Sequence, residues 1–569
     1  MIQRAPQSKK RLTLWDWIST KYVGVSSRSS WNRRKIALNE APINMTGRRQ
    51  RMPEHDPQLA RLKLPTIVKG AGILFAGGVM AKLLGYAFNI LAAKKIGLRG
   101  FGLYTLGLTV LRAIAIDLPG SQSSAVVRYV SIYHATGDRA RLKGTIYFAL
   151  KNAALLSLLT GGAVFFVSDY LAGQIFHQPQ LSSVLTRLAL SIPFASLSSV
   201  FLLATVGIQI MTFQTLTKDL LEPLVMLTVF LFLVLQGFRL QALVYAYLSS
   251  AILGFVVAYF FFAKTFAHLF SNPFFPRPEA KTIIPISESK SISKFALPLV
   301  IARIFTRLRR QGDILLLGFF VPVSQVGLYT IVYKTASALS EISDSLISVF
   351  NPMISASFEK GDLSTLRSQL KILSRWIFSL AVPLIFFALF HAKPILSVLG
   401  DRFIGGEISL IILLLGFLVQ MTTAPAGQML TMSGNPQITL INTIGMGGIS
   451  LVLFLILIPM YGIEGASLAV AISMLLLGLA RVIEGQTIIG IHPFSLSYLK
   501  PVIAGCCSLV ITLWIDQALP PNKYLFIGCS FSLFFSSYVA ALALLGLDPE
   551  DRFILAKIKE RFLPSKGQG

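Results

Sequence analysis

Long apolar segments recur along most of this chain, and many of them extend for about 18 residues or more. A helix of that length crosses about 30 Å of hydrocarbon. Only 14% of the 569 residues are charged, whereas soluble domains carry about 25% charged residues. The pattern therefore predicts an all-α polytopic membrane protein with about 14 transmembrane helices, and it argues against a soluble domain or a nucleic-acid partner.

The order of the apolar segments divides the chain into two helical lobes and two tails. The predicted helices are residues 66–93, 101–127, 145–168, 184–210, 221–236, 240–264, 294–321, 324–350, 372–392, 404–430, 438–459, 463–484, 499–516 and 523–546. The predicted domains are a basic tail (1–64), an N-lobe (65–266), a connector (267–292), a C-lobe (293–490), a pair of extra helices (491–547) and a second basic tail (548–569). Each lobe is thus expected to contain six helices.

The basic residues predict the orientation of the chain, whose net charge is +27. Residues 1–64 contain fourteen lysines and arginines against four acidic residues. With fourteen helices, this tail, the connector, the basic C-terminal end and the basic loops near residues 128–143 and 360–371 all lie on one side. The positive-inside rule makes that side cytoplasmic, so a cell-membrane protein with both termini in the cytoplasm is expected. Three residues after the first helix break this rule, namely Lys94, Lys95 and Arg99.

Several cations fall inside predicted membrane helices. Arg303, Arg307 and Arg310 have i, i+4 and i+7 spacing, so they share one face of the helix at 294–321. Lys82, Arg112 and Lys334 fall in the first, second and eighth helices. Because charge in a bilayer is costly, such side chains normally face a cavity or a partner. We expect these six residues to line a hydrated cavity that binds an anion.

Four carboxylates lie in the same helices, namely Asp117, Asp313, Glu341 and Asp344. Intramembrane acids relay protons or bind sodium, which makes these residues candidates for H⁺ or Na⁺ coupling. The alternative is that they neutralise the neighbouring cations in an internal network. The sequence has no G-x-x-x-x-G-K-[ST] pattern and its six histidines are dispersed, so no resident cofactor, metal site or catalytic residue is expected.

Two motifs recur in the same order along the chain. Phe101-Gly-Leu-Tyr-Thr105 matches Val326-Gly-Leu-Tyr-Thr330 at an offset of 225 residues. Gly137-Asp138 matches Gly361-Asp362 at nearly the same offset, in a loop one helix later. Six helices separate the copies, so the repeats have the same orientation, as in transporters that work by alternating access. The offset also sets Lys82 opposite Arg307.

The motifs Lys69-Gly-Ala-Gly72, Asn89-Ile-Leu-Ala-Ala93, Gly100-Phe-Gly-Leu-Tyr-Thr105 and Val127-Arg-Tyr-Val-Ser131 resemble those of the polysaccharide or O-antigen flippases. These proteins form part of the multidrug/oligosaccharidyl-lipid/polysaccharide exporter superfamily. The resemblance covers roughly 65–490, and the long basic N-terminal tail departs from it. It implies two six-helix lobes around a central cavity, and a polyprenyl-diphosphate-linked oligosaccharide as cargo. It also implies transport without enzymatic chemistry, with a glycan polymerase or glycosyltransferases as partners alongside membrane lipids.

Other functions remain open at this point. A flippase for the cell-wall lipid precursor would carry the same polyprenyl diphosphate, so charge does not separate it from a polysaccharide flippase. A cation-coupled drug exporter should have an acidic cavity, which the arginines argue against. A membrane glycosyltransferase would need a polar loop or cleft with carboxylates, and the outward loops here are short. A purely structural scaffold would not explain why the chain carries energetically costly cations inside the membrane.

Overall fold

Helices make up the secondary structure, and no strand occurs in the part of the chain that the structure describes. The computed structural model of the protein describes residues 80–113, 123–267, 305–433, 436–490, 496–518 and 522–546. All of them belong to one compact unit. The predicted site residues Arg303 and Asp117 lie outside the described residues, as do both predicted tails and nearly all of the predicted connector.

We number the helices in chain order. They are α1 (80–96), α2 (Leu98–Leu111), α3 (Ser123–Ala135), α4 (Arg139–Tyr170), α5 (Gln180–Ala189), α6 (Ser191–Gly207), α7 (Glu222–Leu235), α8 (Leu240–Phe266), α9 (305–320), α10 (Val323–Ala338), α11 (Ser340–Glu359), α12 (Leu363–Phe390), α13 (Ala392–Leu399), α14 (Glu407–Met432), α15 (Pro436–Glu484), α16 (Leu499–Asp516) and α17 (Lys523–Leu544). A single turn at Thr212–Gln214 and a π-helix at Thr215–Leu221 precede α7.

Eight helical segments among the described residues are long and apolar enough to cross a membrane. The prediction of an all-α, multi-pass membrane protein is thus confirmed. One of the eight segments contains two predicted helices, those at 438–459 and 463–484. The division between them lies at Gly462, which adopts φ 57° and ψ −127° and interrupts α15. The helices α10 and α11 fall outside the eight: α10 has only 16 residues, and α11 carries Glu341, Asp344 and Glu359.

Some predicted boundaries are wrong. The second helix was expected at 101–127, but α2 ends at Leu111 and a π-helical turn follows at 112–113. The ninth was expected to begin at residue 372, but α12 begins at Leu363 because Asp362 caps it there. Capping residues, and not the onset of the apolar run, decide where such a helix begins.

The repeated Gly-Asp motifs adopt the same turn in both copies. Gly137 and Gly361 have φ values of 71° and 70°, in the left-handed region that glycine tolerates. The next residue caps the following helix: Asp138 accepts a hydrogen bond from the backbone N–H of Arg141, and Asp362 from that of Thr365, each at 3.0 Å. Hydrogen bonds from Thr365, through its hydroxyl first, lower the pKa of Asp362 to about 2. The duplication seen in the sequence is therefore a duplication of backbone structure.

The two copies of the Gly-Leu-Tyr-Thr motif meet where α2 packs against α10. A Cβ atom on Gly102 would lie 2.0 Å from the carbonyl oxygen of Val323. A Cβ atom on Gly327 would lie 2.2 Å from the carbonyl oxygen of Leu98. The helix backbones thus touch at a reciprocal pair of glycines, one from each repeat. We call this contact the glycine crossing.

Further contacts join the two repeats along the same line. The hydroxyls of Tyr86 on α1 and Thr335 on α10 lie 3.1 Å apart. The ammonium of Lys94 donates a hydrogen bond of 3.1 Å to the carbonyl oxygen of Val398, at the C-terminal end of α13. Cations are favourable at that end of a helix because its last carbonyls lack partners. This contact gives a structural role to Lys94, one of the three residues that break the predicted positive-inside pattern.

The last two helices attach to the C-terminal repeat through α12 and α13. Buried His391, between these helices, lies 2.8 Å from a carboxylate oxygen of Asp516 on α16. Asp516 also accepts a hydrogen bond from Ser530 on α17. Because a buried polar group is costly without a partner, this network fixes how α16 and α17 pack.

Gly137→Ala and Gly361→Ala should each lower the free energy of unfolding by about 1–2 kcal/mol, because alanine disfavours the left-handed region. Nothing lies within 4 Å of the added methyl group at either position, so the effect would come from the backbone alone. The control is Gly448→Ala in α15, where the added methyl group also meets nothing within 4 Å. Thermal unfolding in detergent measures the effect, and equal stability of all three variants would contradict this account.

Gly102→Ala should force α2 and α10 apart, because its methyl group would overlap the backbone at Val323. Overpacking of this kind costs about 1–3 kcal/mol. A Tyr86→Cys and Thr335→Cys pair would report the separation through cross-linking by a short bis-maleimide, after replacement of the exposed cysteines Cys506, Cys507 and Cys529. The yield should fall several-fold in Gly102→Ala and stay unchanged in Gly85→Ala, whose methyl group meets nothing within 4 Å.

Candidate functional site

An ion pair joins the two repeats. Lys82 on α1 pairs with Glu341 on α11, and the side chains are 52% and 39% exposed. Both residues were predicted site residues, one as a cation for substrate and the other as a candidate for ion coupling. Asp344 follows one turn later on α11 and interacts electrostatically with Lys82. The cation of one repeat and the carboxylates of the other therefore share one region.

Two like charges meet near this pair. Arg112 follows the last residue of α2, in a π-helical turn of the kind often found at functional sites. It hydrogen-bonds the Tyr247 side chain on α8 and interacts electrostatically with Lys334 on α10. Glu341 acts on Lys334 as well. The two predicted cations thus come together from opposite repeats, with one carboxylate nearby.

Two arginines of α9 interact with residues of the same region. Arg307 donates a hydrogen bond of 3.1 Å to the Gln311 side chain and interacts electrostatically with Tyr247, the partner of Arg112. Arg310 is exposed and interacts with Asp344. The predicted stripe therefore contributes two cations to this region.

Asp313 has a different environment from the other predicted acids. Its side chain is 1% exposed, and it accepts hydrogen bonds from the Tyr329 hydroxyl at 2.7 Å and from the Ile314 N–H at 2.8 Å. Tyr329 belongs to the second Gly-Leu-Tyr-Thr motif. The structure thus places Asp313 in the packing between α9 and α10.

The structure adds charged residues that were not among the predicted site residues. Arg309 on α9 and Arg481 on α15 interact electrostatically, and Arg481 also interacts with Asp344 and Glu484. In the N-terminal repeat, Lys218 pairs with Glu222 at 2.6 Å, and Asp219 interacts with Lys82. The π-helix that carries Lys218 and Asp219 precedes the apolar run of α7, which is why both residues appeared to lie outside the membrane helix. Arg481 and Glu484 carried a signal, since they are charged residues at the end of an apolar segment.

Positive charge prevails in this region, which we call the central cluster. Its cations are Lys82, Arg112, Lys218, Arg307, Arg309, Arg310, Lys334 and Arg481, and its carboxylates are Asp219, Glu222, Glu341, Asp344 and Glu484. Within the described ranges, no carboxylate lies within 4 Å of the charged groups of Lys334, Arg310 and Arg481. Among the residues that the structure describes, eight cations against five carboxylates leave the cluster suited to bind an anion. Guanidinium groups supply forked donors for oxyanions and ammonium groups supply compact charges.

Comparisons with known proteins agree with this architecture. A family model described as "Polysaccharide biosynthesis protein" matches residues 67–358. Stage V sporulation protein B of Bacillus subtilis (strain 168) is 24% identical over 135 residues, which are 24% of this chain and 26% of that protein. The chain therefore aligns with about a quarter of that relative's length.

Solved structures share the fold. A structure described as lipid II flippase MurJ in an inward closed conformation has a TM-score of 0.69 at 16% identity, and covers 83% of this chain and 98% of its own. An inward-facing multidrug resistance MATE family transporter of the MOP superfamily has a TM-score of 0.56 at 14% identity, with 74% and 98% covered. At these identities the likeness concerns the fold.

Reversal of the charge at Lys82 or Glu341 should lower stability, and the double swap should recover it. For partly exposed groups we expect a coupling free energy of about 0.5–1 kcal/mol in a double-mutant cycle. The variants are Lys82→Glu, Glu341→Lys and the two combined, measured by thermal unfolding in detergent at low salt. Additive effects of the two substitutions would mean that the pair does not join the repeats.

Proposed function

The chain belongs to the polysaccharide biosynthesis protein family, and from this premise we propose that it flips a polyprenyl-diphosphate-linked oligosaccharide across the cell membrane by alternating access. The observation that carries the proposal is the excess of cations in the central cluster. The barrier to flipping is the free energy needed to move a diphosphate and a hydrated glycan through hydrocarbon. A hydrated site lined with lysine and arginine lowers that barrier by replacing water around the phosphates.

The origin of the cations supports alternating access. Lys82 and Arg112 come from the first repeat, and Lys334, Arg307 and Arg310 come from the second. A site shared by two repeats changes when the repeats rock against one another, and this couples binding to the direction of access. The prenyl chain can remain in lipid throughout. Transport of this kind makes and breaks no covalent bond, so we infer that the protein is not an enzyme.

The carboxylates suggest how transport could be driven. Glu341 and Asp344 lie one turn apart on α11, among the cations that would bind the substrate. We infer that substrate phosphate displaces one of these carboxylates from Lys82, and that the displaced carboxylate then takes up H⁺ or Na⁺. We also propose that both termini are cytoplasmic, that the basic tails bind anionic lipid, and that a glycan polymerase or glycosyltransferases supply or receive the cargo.

A second candidate is the flipping of a cell-wall lipid precursor. The structure described as a lipid II flippase has a TM-score of 0.69 with this chain, and its 98% coverage extends over its whole architecture. The substrate in that protein's name, like the cargo proposed here, is a lipid to be flipped. A drug exporter receives less support, because a cationic cluster repels cationic drugs. Competition between lipid II and a polyprenyl-diphosphate oligosaccharide in one assay would distinguish the two flippase functions.

Lys334→Gln should slow flipping of a short-chain polyprenyl-diphosphate oligosaccharide in proteoliposomes by about ten- to a hundredfold. This range corresponds to the loss of one charge-assisted contact of about 1.5–3 kcal/mol. Protection of the glycan from an added glycosidase measures flipping. The matched control is Lys360→Gln, an exposed cation in the loop between α11 and α12. Equal flipping by the two variants, at matched incorporation and thermal stability, would refute the role of the central cluster.

A further inference from the structure

Arg481 lies against a gap in the neighbouring helix. A Cβ atom on Gly427 of α14 would lie 2.6 Å from its Nε, 2.8 Å from its Cδ and 3.2 Å from its Cζ. Any larger residue would therefore push the guanidinium group away, so Gly427 makes the room that Arg481 occupies. The position of this side chain is set by the packing of α14 on α15, and not by an ion pair.

The charges around Arg481 leave an unfavourable balance. Arg481 interacts electrostatically with Arg309 of α9, a like charge on a different helix. Arg309 also interacts with its neighbour Arg310. The carboxylates of Asp344 and Glu484 interact with this group of three arginines in the described part of the chain. Glu484 already accepts a hydrogen bond of 2.7 Å from Asn442. Within the described part of the chain, no carboxylate lies within 4 Å of the Arg481 guanidinium.

This group is distinct from the cations around Arg112. The charged groups acting on Lys334 are Arg112 and Glu341. Those acting on Arg481 are Arg309, Glu484 and Asp344. Glu341 and Asp344 lie one turn apart on α11, so the acidic turn of α11 connects two cationic groups.

We propose that Arg309 and Arg481 form a second oxyanion subsite, which binds a carboxylate or phosphate on the glycan of the cargo. The proposal rests on the proposed function, in which the cations around Arg112 and Lys334 bind the diphosphate. Two guanidinium groups held near one another repel, and an oxyanion between them removes the repulsion through forked hydrogen bonds. The protein would then prefer lipid-linked glycans that carry an acidic group.

Binding to the protein in neutral phosphatidylcholine nanodiscs tests the preference. The probes are two short-chain polyprenyl diphosphates, one with a neutral oligosaccharide and one with the same oligosaccharide bearing a uronic acid. The wild-type protein should bind the acidic probe about tenfold more tightly. In Arg481→Gln the preference for the acidic probe should disappear, so that the two Kd values become equal. An unchanged preference in Arg481→Gln would overturn the subsite.

A second variant tests the position of the guanidinium without changing its charge. Gly427→Ala should reduce the preference for the acidic probe about as much as Arg481→Gln does, because its methyl group displaces Arg481. Alanine favours a helix, so the variant should fold. Gly448→Ala is the control, since its methyl group meets nothing within 4 Å. Retention of the full preference by Gly427→Ala would show that the gap does not position Arg481 for binding.

The outcomes separate this proposal from the proposed function. Lys334→Gln should weaken the binding of both probes by the same factor. If the wild-type protein binds both probes equally while Lys334→Gln weakens both, the second subsite is wrong and the flippase function stands. If the wild-type protein binds neither probe, the flippase function itself fails. Repetition in phosphatidylglycerol nanodiscs identifies the source of the oxyanion: Arg481-dependent binding of that lipid, without any glycan preference, would overturn the assignment to the cargo.

Discussion

The contact between two helix backbones at Gly102 and Gly327 sets how closely α2 and α10, and with them the two repeats, pack. Side chains at these positions would keep α2 and α10 apart by the width of a methyl group or more. The hydrogen-bonding contact of Tyr86 with Thr335 and the ion pair of Lys82 with Glu341 join the same two repeats. The glycines belong to a duplicated motif, so each repeat contributes one glycine to the contact.

Charge in the membrane region is tolerated here in two ways. Some groups are paired or hydrogen-bonded within the protein, as Lys218 is with Glu222 and Asp313 is with Tyr329. Others, such as Lys334 and Arg481, have like charges among their neighbours, and such an arrangement is costly unless a ligand or water compensates for it. The distinction between these two groups, and not the number of charged residues, indicates where an anion would bind.

The sequence predicted the features that depend on local pattern. Apolar runs predicted the helices, and the copied Gly-Asp pairs predicted turns that prove nearly identical. Among the predicted cations, Arg112 and Lys334 interact electrostatically with one another from opposite repeats. The sequence could not predict contacts that depend on tertiary packing. Arg481 of α15 interacts electrostatically with Arg309 of α9, which is distant in the sequence. Asp313, a predicted candidate for ion coupling, accepts a hydrogen bond from Tyr329 on the next helix.

The C-terminal end of α13 is held by two lysines from distant parts of the chain. Lys94 of α1 reaches the carbonyl oxygen of Val398, and Lys523 of α17 reaches that of Ser397 at 3.2 Å. His391, at the other end of α13, is joined to Asp516. One short helix is therefore attached twice to the terminal pair of helices and once to the first repeat. Separation of the repeats would break the contact of α13 with Lys94 and keep its contacts with Lys523 and Asp516. The helices α16 and α17 would therefore move together with the second repeat as a rigid unit.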